Sequence, residues 1–288
     1  MNSVVIPCFS RADYLTICLE YITKADNWQN YSYIFACDIG MDSETRRVID
    51  GFKFSKKFKV VPKQHGFKSG KQSHNVINGL LSSYNKNSDL VFYIEDDVFI
   101  GKDFFTFHED IHKKAKPFVS ILSKNMNSKF KENVTNDSNA YYTKHSNEYQ
   151  GIGSCFDGKM LFRYLSPHFT PKYFSSITKY VKQEFPESVL ESCYAEQDGL
   201  IRRIIEKHHL PVCFSHVPRC FHAGFYGYHR TPKINMKSMT MPDRCKLIRK
   251  VAFDENELKK ISENPYFMMD SIPVNLNTTH NNCYELPY

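Results

Sequence analysis

The chain has 288 residues, 41% of them hydrophobic and 24% charged, a composition that excludes disorder as the default and suffices to bury a large α/β core. Its 38 lysines and arginines against 31 aspartates and glutamates leave a formal charge of +7, which favours polyanionic ligands such as nucleoside diphosphates, nucleic acid or anionic lipid without choosing among them. Nine cysteines, without a CxxC pair, read as reduced core residues and argue against a zinc site or a disulfide frame. The N-terminus enters a strand directly, with no basic n-region or long apolar run, and no later run reaches bilayer length. A soluble cytoplasmic protein of a bacterium or a virus-infected cell is the expectation.

In chain order, residues 4–7 read as a strand and 14–23 as a helix with Leu15, Cys18, Leu19 and Ile22 on one face. Residues 31–37 form a second strand, and a helix follows with Ser43 as its N-cap. A third strand over 58–61, a helix over 69–84 and a fourth strand over 90–94 complete an alternating pattern that predicts right-handed crossovers and a parallel sheet. This half is expected to bind a nucleotide.

The fourth strand ends in Glu95, Asp96 and Asp97, followed by a second apolar run and Gly101. Three adjacent acids repel one another, and a divalent cation would offset that cost. Neutralising one of them should then leave the metal-free fold as stable or more so. A solvated acidic turn, with Asp103 capping the next helix, is the other reading.

Further on, residues 118–122 read as a strand, 125–147 as a long polar loop and 171–205 as a helical region containing Glu196, Gln197 and Asp198. Between them a short apolar run over 149–156 holds Gly151 and Gly153. Basic residues gather near the C-terminus, among them His229, Arg230, Lys233, Lys237, Arg244, Lys246, Arg249 and Lys250, as a solvated face or a nucleic-acid contact.

The order of these segments resembles the nucleotide-sugar glycosyltransferases of GT-A fold. It is most similar to the inverting N-acetylglucosaminyltransferases of N-glycan branching and more loosely similar to glycosyltransferase family 2. The resemblance spans roughly residues 3–230 and rests on Ile6-Pro7-Cys8-Phe9-Ser10-Arg11, Phe35-Ala36-Cys37-Asp38-Ile39-Gly40, Glu95-Asp96-Asp97 and Val217-Pro218-Arg219-Cys220-Phe221-His222-Ala223-Gly224. It implies an α/β GT-A (Rossmann-like) fold, a mostly parallel sheet flanked by helices, with acceptor-side loops and a C-terminal extension. Residues 1–110 would form the donor half, 111–230 the acceptor and catalytic half, and 231–288 the basic extension. The implied activity is transfer of a sugar from a nucleoside-diphosphate sugar, UDP favoured, to an acceptor hydroxyl with inversion and Mn²⁺ or Mg²⁺.

By this resemblance Pro7 and Arg11 lie near the donor diphosphate, Asp38 contacts the ribose or base, and residues 221–228 close over the donor. Asp97, with His222, would hold the metal beside Glu95 and Asp96, and Lys68 or Lys71 would add positive charge. Asp38 reads equally as a turn-forming Asx residue before Gly40, and His222 as a buried structural histidine. The general base is expected at Asp198 or Glu196, with Asp198 preferred as the acid just before a Gly199-Leu200-Ile201 turn into a helix; both acids also suit a helix N-terminus. The alternatives are a viral enzyme that glycosylates a hydroxymethylated base in DNA, a nucleotidyltransferase, or an inert sugar-binding relative. The acceptor and the oligomeric state are not readable from the sequence.

Overall fold

In a computed structural model, residues 2–54, 57–60, 71–84, 89–123, 141–144, 149–226, 232–252 and 254–261 are described. Among the strands, β1 is Ser3–Cys8, β2 Ser32–Cys37, β3 Lys57–Val60, β4 Leu90–Tyr93 and β5 Val98–Ile100. Then come β6 Val119–Ile121, β7 Tyr141–Lys144, β8 Ser154–Asp157, β9 Val212–Ser215 and β10 Cys220–His222. The helices are α1 Ala12–Lys24, α2 Ser43–Gly51, α3 Lys71–Tyr84, α4 Phe104–Ala115 and α5 Gly158–Leu165. They continue with α6 Pro171–Ser175, α7 Ile177–Glu184, α8 Gln197–His208, α9 Met241–Ala252 and α10 Glu255–Ile261.

Eight strands make one sheet in the order β3-β2-β1-β4-β8-β6-β9-β7, and β5 pairs with β10 in a separate two-stranded ribbon. β3, β2, β1 and β4 are mutually parallel, β6 is parallel to β9, and β8 and β7 run antiparallel to their neighbours. The fold class is therefore the expected one, α/β with a mostly parallel sheet covered by helices on both faces.

The period-2 alternation of the strands decides which helix covers which face. Val5, Ile34, Val91, Val119 and Phe214 bury one face against α3, α5 and α8. Val4, Ile6, Tyr33, Phe35 and Phe92 bury the other against α1, α2 and α4. A third core joins α1 to the β5–β10 ribbon and α9 through Tyr14, Ile17, Phe99, Phe221, Ile248 and Val251.

Several expectations need correction. α2 is capped by Asp42, whose side chain accepts from the Thr45 N–H at 2.6 Å, because Ser43 is already helical. The helical region over 171–205 divides into α6, α7 and α8; Pro186 lacks the N–H and blocks continuation past Phe185. The presumed loop contains β7, which pairs antiparallel with β9; residues 125–140 and 145–147 of it lie outside the described residues. Asp103 sits at the N-cap of α4 but makes no capping bond, since its carboxylate accepts from Arg219 Nε at 2.9 Å.

α9 was not expected. Its Arg244 pairs with Asp13 and Glu44, Arg249 with Glu20, and Lys250 with Glu257, so much of the basic stretch answers carboxylates of its own chain. Cys193 is exposed, and Cys8, Cys18, Cys37, Cys155, Cys213, Cys220 and Cys245 are buried free thiols. Among the described residues no helix is long and apolar enough to cross a membrane.

Candidate active site

Parallel strands end at one edge of the sheet, and the ligand crevice of an open α/β sheet lies outside that edge. Arg11 follows β1 at the N-cap of α1, Asp38 follows β2, and Glu95, Asp96 and Asp97 follow β4. The acids sit in a tight turn, closed by the Val98 N–H donating to the Glu95 carbonyl at 3.0 Å, that leads into β5. β10 then places His222 opposite Val98, so His222 Nε2 lies 3.0 Å from Asp97 Oδ2.

The charges of this turn are partly neutralised from within. Arg11 bonds Asp97 Oδ2 through Nη1 at 2.5 Å, and bonds Asp96 through Nη2 and through Nε at 3.2 Å. Burial alone would raise the Asp97 pKa, but the Arg11 charge and then His222 hold it well below the usual carboxylate range. Glu95 is different. Burial, then the charges of Asp97 and Asp198, push its pKa well up, and Tyr93 donates to its Oε1 at 3.0 Å. The repulsion inferred from the sequence thus has a protein cation on Asp96 and on one Asp97 oxygen, and remains on Glu95.

Asp97 Oδ1 is buried and has no hydrogen-bond partner among the described residues. Ligand atoms of Glu95, Asp97 and His222 lie within 4.8 Å of one another. A Cβ at Gly224 would stand 2.2 Å from Asp97 Oδ2 and 2.9 Å from His222 Nε2, so only glycine lets the backbone close so tightly on these two side chains. An orphaned carboxylate oxygen in a set of two acids and one imidazole fits Mn²⁺, and also Mg²⁺.

Asp198 reaches the same edge from α8. β8 runs antiparallel to β4 with Ser154 opposite Tyr93, so residues 149–153 lie at the carboxyl end of β4. There the Gly151 N–H donates to Asp198 Oδ2 at 3.1 Å, while Asp198 Oδ1 is buried without a partner among the described residues. A Cβ at Gly151 would stand 2.8 Å from that oxygen and 2.9 Å from the Tyr93 ring. Burial raises the Asp198 pKa to about 6, the Gly151 bond lowering it and the Glu196 charge raising it.

Glu196 is exposed at the N-cap of α8, and Asp198 stands in the first helical turn, not before a turn into the helix. Gln197 points elsewhere: its Oε1 accepts from Ser73 Oγ at 2.8 Å, which ties α8 to α3.

The Asp38 carboxylate accepts from the Ile39 N–H at 2.7 Å, and the Met41 N–H donates to the Asp38 carbonyl at 3.2 Å around Gly40 at φ 85°, a backbone turn at the end of β2. Pro7 lies inside β1, beyond the last β1–β4 pair, Val5 with Tyr93. Lys71 opens α3, Lys68 lies outside the described residues, and so do residues 227 and 228 of the segment expected to close over the donor. The sequence reading named Gly151 and Gly224 without tying either to a carboxylate, and it missed Tyr14, whose partners lie more than two hundred positions away.

The described residues thus define an α/β protein with an acid-rich crevice at the carboxyl edge of its sheet. No family model and no curated protein matches the chain. Among solved structures, S. aureus TarS 1–349 in complex with UDP-GlcNAc aligns at TM-score 0.48 and 12% identity, covering 91% of this chain and 67% of that one. In another TarS 1–349 structure the match spans 58% of that chain. The galactosyltransferase LgtC in complex with donor and acceptor sugar analogues aligns at TM-score 0.43 and 10% identity, over 74% and 72%. The mannosyltransferase PcManGT from Pyrobaculum calidifontis, in complex with GDP-Man and Mn²⁺, aligns at TM-score 0.44 and 12% identity, over 75% and 57%. Scores below 0.5 leave the functional assignment to rest on the chain's own residues.

Proposed function

We propose that the chain is a metal-dependent glycosyltransferase that moves a sugar from a nucleoside-diphosphate sugar, UDP favoured, to an acceptor hydroxyl with inversion. One observation carries the reading: at one sheet edge the ligand atoms of Glu95, Asp97 and His222 lie within 4.8 Å of one another, Asp97 Oδ1 has no partner among the described residues, and Asp198, raised by burial to about 6, reaches the same edge. Carboxylates whose environments separate their proton affinities take separate roles.

Asp97, Glu95 and His222 would hold Mn²⁺ or Mg²⁺. Such a cation, when bound, supplies positive charge to a leaving diphosphate. Arg11, at the N-terminus of α1, adds its guanidinium and the helix N–H groups on the same side. Pro7 lies in the strand that delivers Arg11, and Asp38 would face the ribose or base. Lys71, with Lys68, would extend the positive charge toward the donor. Asp198 takes the acceptor proton: at neutral pH a group of pKa about 6 is mostly ionised yet still basic enough to accept it. Residues 1–110 then serve the donor and 111–230 the acceptor. The ion pairs of α9 leave the DNA alternative without a specific observation in its favour.

Incubation with UDP-sugars and Mn²⁺, with the nucleoside diphosphate and the anomeric configuration of the product measured, tests the reading. Release of UDP with an inverted product supports it. Pyrophosphate released from a nucleoside triphosphate would identify a nucleotidyltransferase, and no turnover of any donor an inert binding protein.

A further inference from the structure

Between the crivice and α9 runs a buried polar chain that the catalytic reading leaves unused. Asp13, in the first turn of α1, is buried, and Arg244 of α9 supplies its cation through Nε at 2.6 Å. The same guanidinium bonds Glu44 in the first turn of α2 and the Met239 carbonyl at 3.0 Å. Asp13 also accepts from the Tyr226 hydroxyl, and from the Tyr14 N–H at 2.9 Å. The Tyr14 hydroxyl in turn donates to the Ala223 carbonyl at 3.1 Å and accepts from the Phe225 N–H at 2.8 Å.

Residues 223, 225 and 226 are therefore all fastened to α1, immediately after His222. The Ala223 N–H closes the loop by donating to the Asp97 carbonyl at 2.8 Å. We infer that Arg244, acting through Asp13, Tyr226 and Tyr14, is a positioning residue that holds His222 and Gly224 against Asp97, so that the C-terminal helix completes the metal site from behind. The inference rests on the metal reading given above.

The physical basis is the cost of a buried carboxylate that loses its cation. Without Arg244, the buried Asp13 carboxylate loses the guanidinium on its Oδ2 and turns toward water, which disturbs the oxygen to which Tyr226 donates. Without the Tyr14 hydroxyl, a carbonyl and an N–H of the His222 segment lose their partner. Outer partners of this kind commonly change metal affinity by about tenfold to a hundredfold, because they fix where a ligand points. Arg249 provides a contrast: it joins the same two helices through Glu20 and, among the described residues, makes no hydrogen bond or ion pair with residues 222–226.

The test is the Mn²⁺ dissociation constant of the full chain, read from the electron paramagnetic resonance signal of free Mn²⁺ well below the melting temperature. Arg244→Met and Tyr14→Phe are each expected to weaken binding by about tenfold. Arg244→Lys should recover part of the loss, since its ammonium can pair with Asp13 but lacks the fork that reaches Glu44 as well. Arg249→Met should bind as the wild type does, even if its melting temperature falls. Wild-type Mn²⁺ affinity in both Arg244→Met and Tyr14→Phe would overturn the inference and leave α9 a purely structural helix. If Arg244→Met does not fold, Tyr14→Phe decides alone. Failure of the underlying metal reading gives a different signature, a wild-type protein with no Mn²⁺ binding that Asp97→Asn removes, and that result would overturn both.

Discussion

Asp97 and Asp198 stand at the same edge of one sheet, each with a buried Oδ1 that has no hydrogen-bond partner among the described residues, yet their pKa values are moved in opposite directions. Asp97 shares its other oxygen between Arg11 and His222. Asp198 has a single backbone N–H from Gly151 on its other oxygen, and burial dominates. The difference lies in what each neighbouring strand end delivers. β1 brings the Arg11 cation and β10 the His222 imidazole to Asp97, whereas the segment before β8 brings Asp198 a glycine amide and the wall of Tyr93. A carboxylate kept ionised with one oxygen unpartnered among the described residues suits ligation of a metal; one kept basic by burial suits proton transfer.

The largest effect should come from removing the basic carboxylate. Asp198→Asn is expected to slow transfer by roughly 10²- to 10⁴-fold, the usual range for a lost general base, with donor affinity nearly unchanged. Glu196→Gln should be mild, because Glu196 is exposed at the helix start. Rates of transfer alongside donor titrations decide the matter. An exchange of the two phenotypes would move the base to Glu196, and full activity in both would require another carboxylate.

Asp97→Asn should weaken Mn²⁺ binding by at least roughly a hundredfold. It also reverses an expectation from the sequence, where neutralising one of three adjacent acids relieves repulsion and stabilises the fold. Arg11 and His222 change the sign. A carboxylate whose folded pKa lies below its unfolded value contributes stability at neutral pH, and that contribution disappears as pH falls below about 3.9 toward the folded pKa. Asp97→Asn should therefore melt lower than the wild type at pH 7 without metal, and the gap should close in acid. Equal melting temperatures at pH 7 would mean that the Arg11 contact contributes nothing.

How legible all this was depends on the range of the interactions. The alternation that defines β1 to β4 and their helices is local, carried by apolar spacing within each segment, and the three acids announce themselves as like charges at a strand end. Long-range pairing is a different matter. Arg11 meets Asp96 and Asp97 across some eighty-five positions, and Tyr14 meets residues 223 and 225 across more than two hundred. Nothing in the residue types announces either pairing. α9 was obscured by its own charges: Cys245, Ile248, Val251 and Ala252 carry a helical apolar stripe, but the interleaved arginines and lysines read as a solvated face. Gln197 shows the opposite case, where neighbours one residue apart on a helix point to different surroundings. Its bond to Ser73 follows from the packing of α8 on α3, which no local pattern records.

The smallest effect probes the comparison most finely. Transfer by the wild type should rise with pH through about 6 and then level off, as Asp198 becomes ionised. In Gly151→Ala the new Cβ would meet Asp198 Oδ1 at 2.8 Å and the Tyr93 ring at 2.9 Å, so the carboxylate must move off the Gly151 amide. That amide bond favours the charged form, and hydrogen bonds to charged groups contribute about 1.5–3 kcal/mol. Its loss should displace the rising limb upward by about one pH unit, since one unit corresponds to about 1.4 kcal/mol. At pH 8 the variant should approach its own plateau, and at pH 6 it should fall well short of it. A limb that stays in place, in a variant that still folds, would mean that Asp198 is tuned by burial alone; a limb that moves downward would mean that displacement has carried it into water.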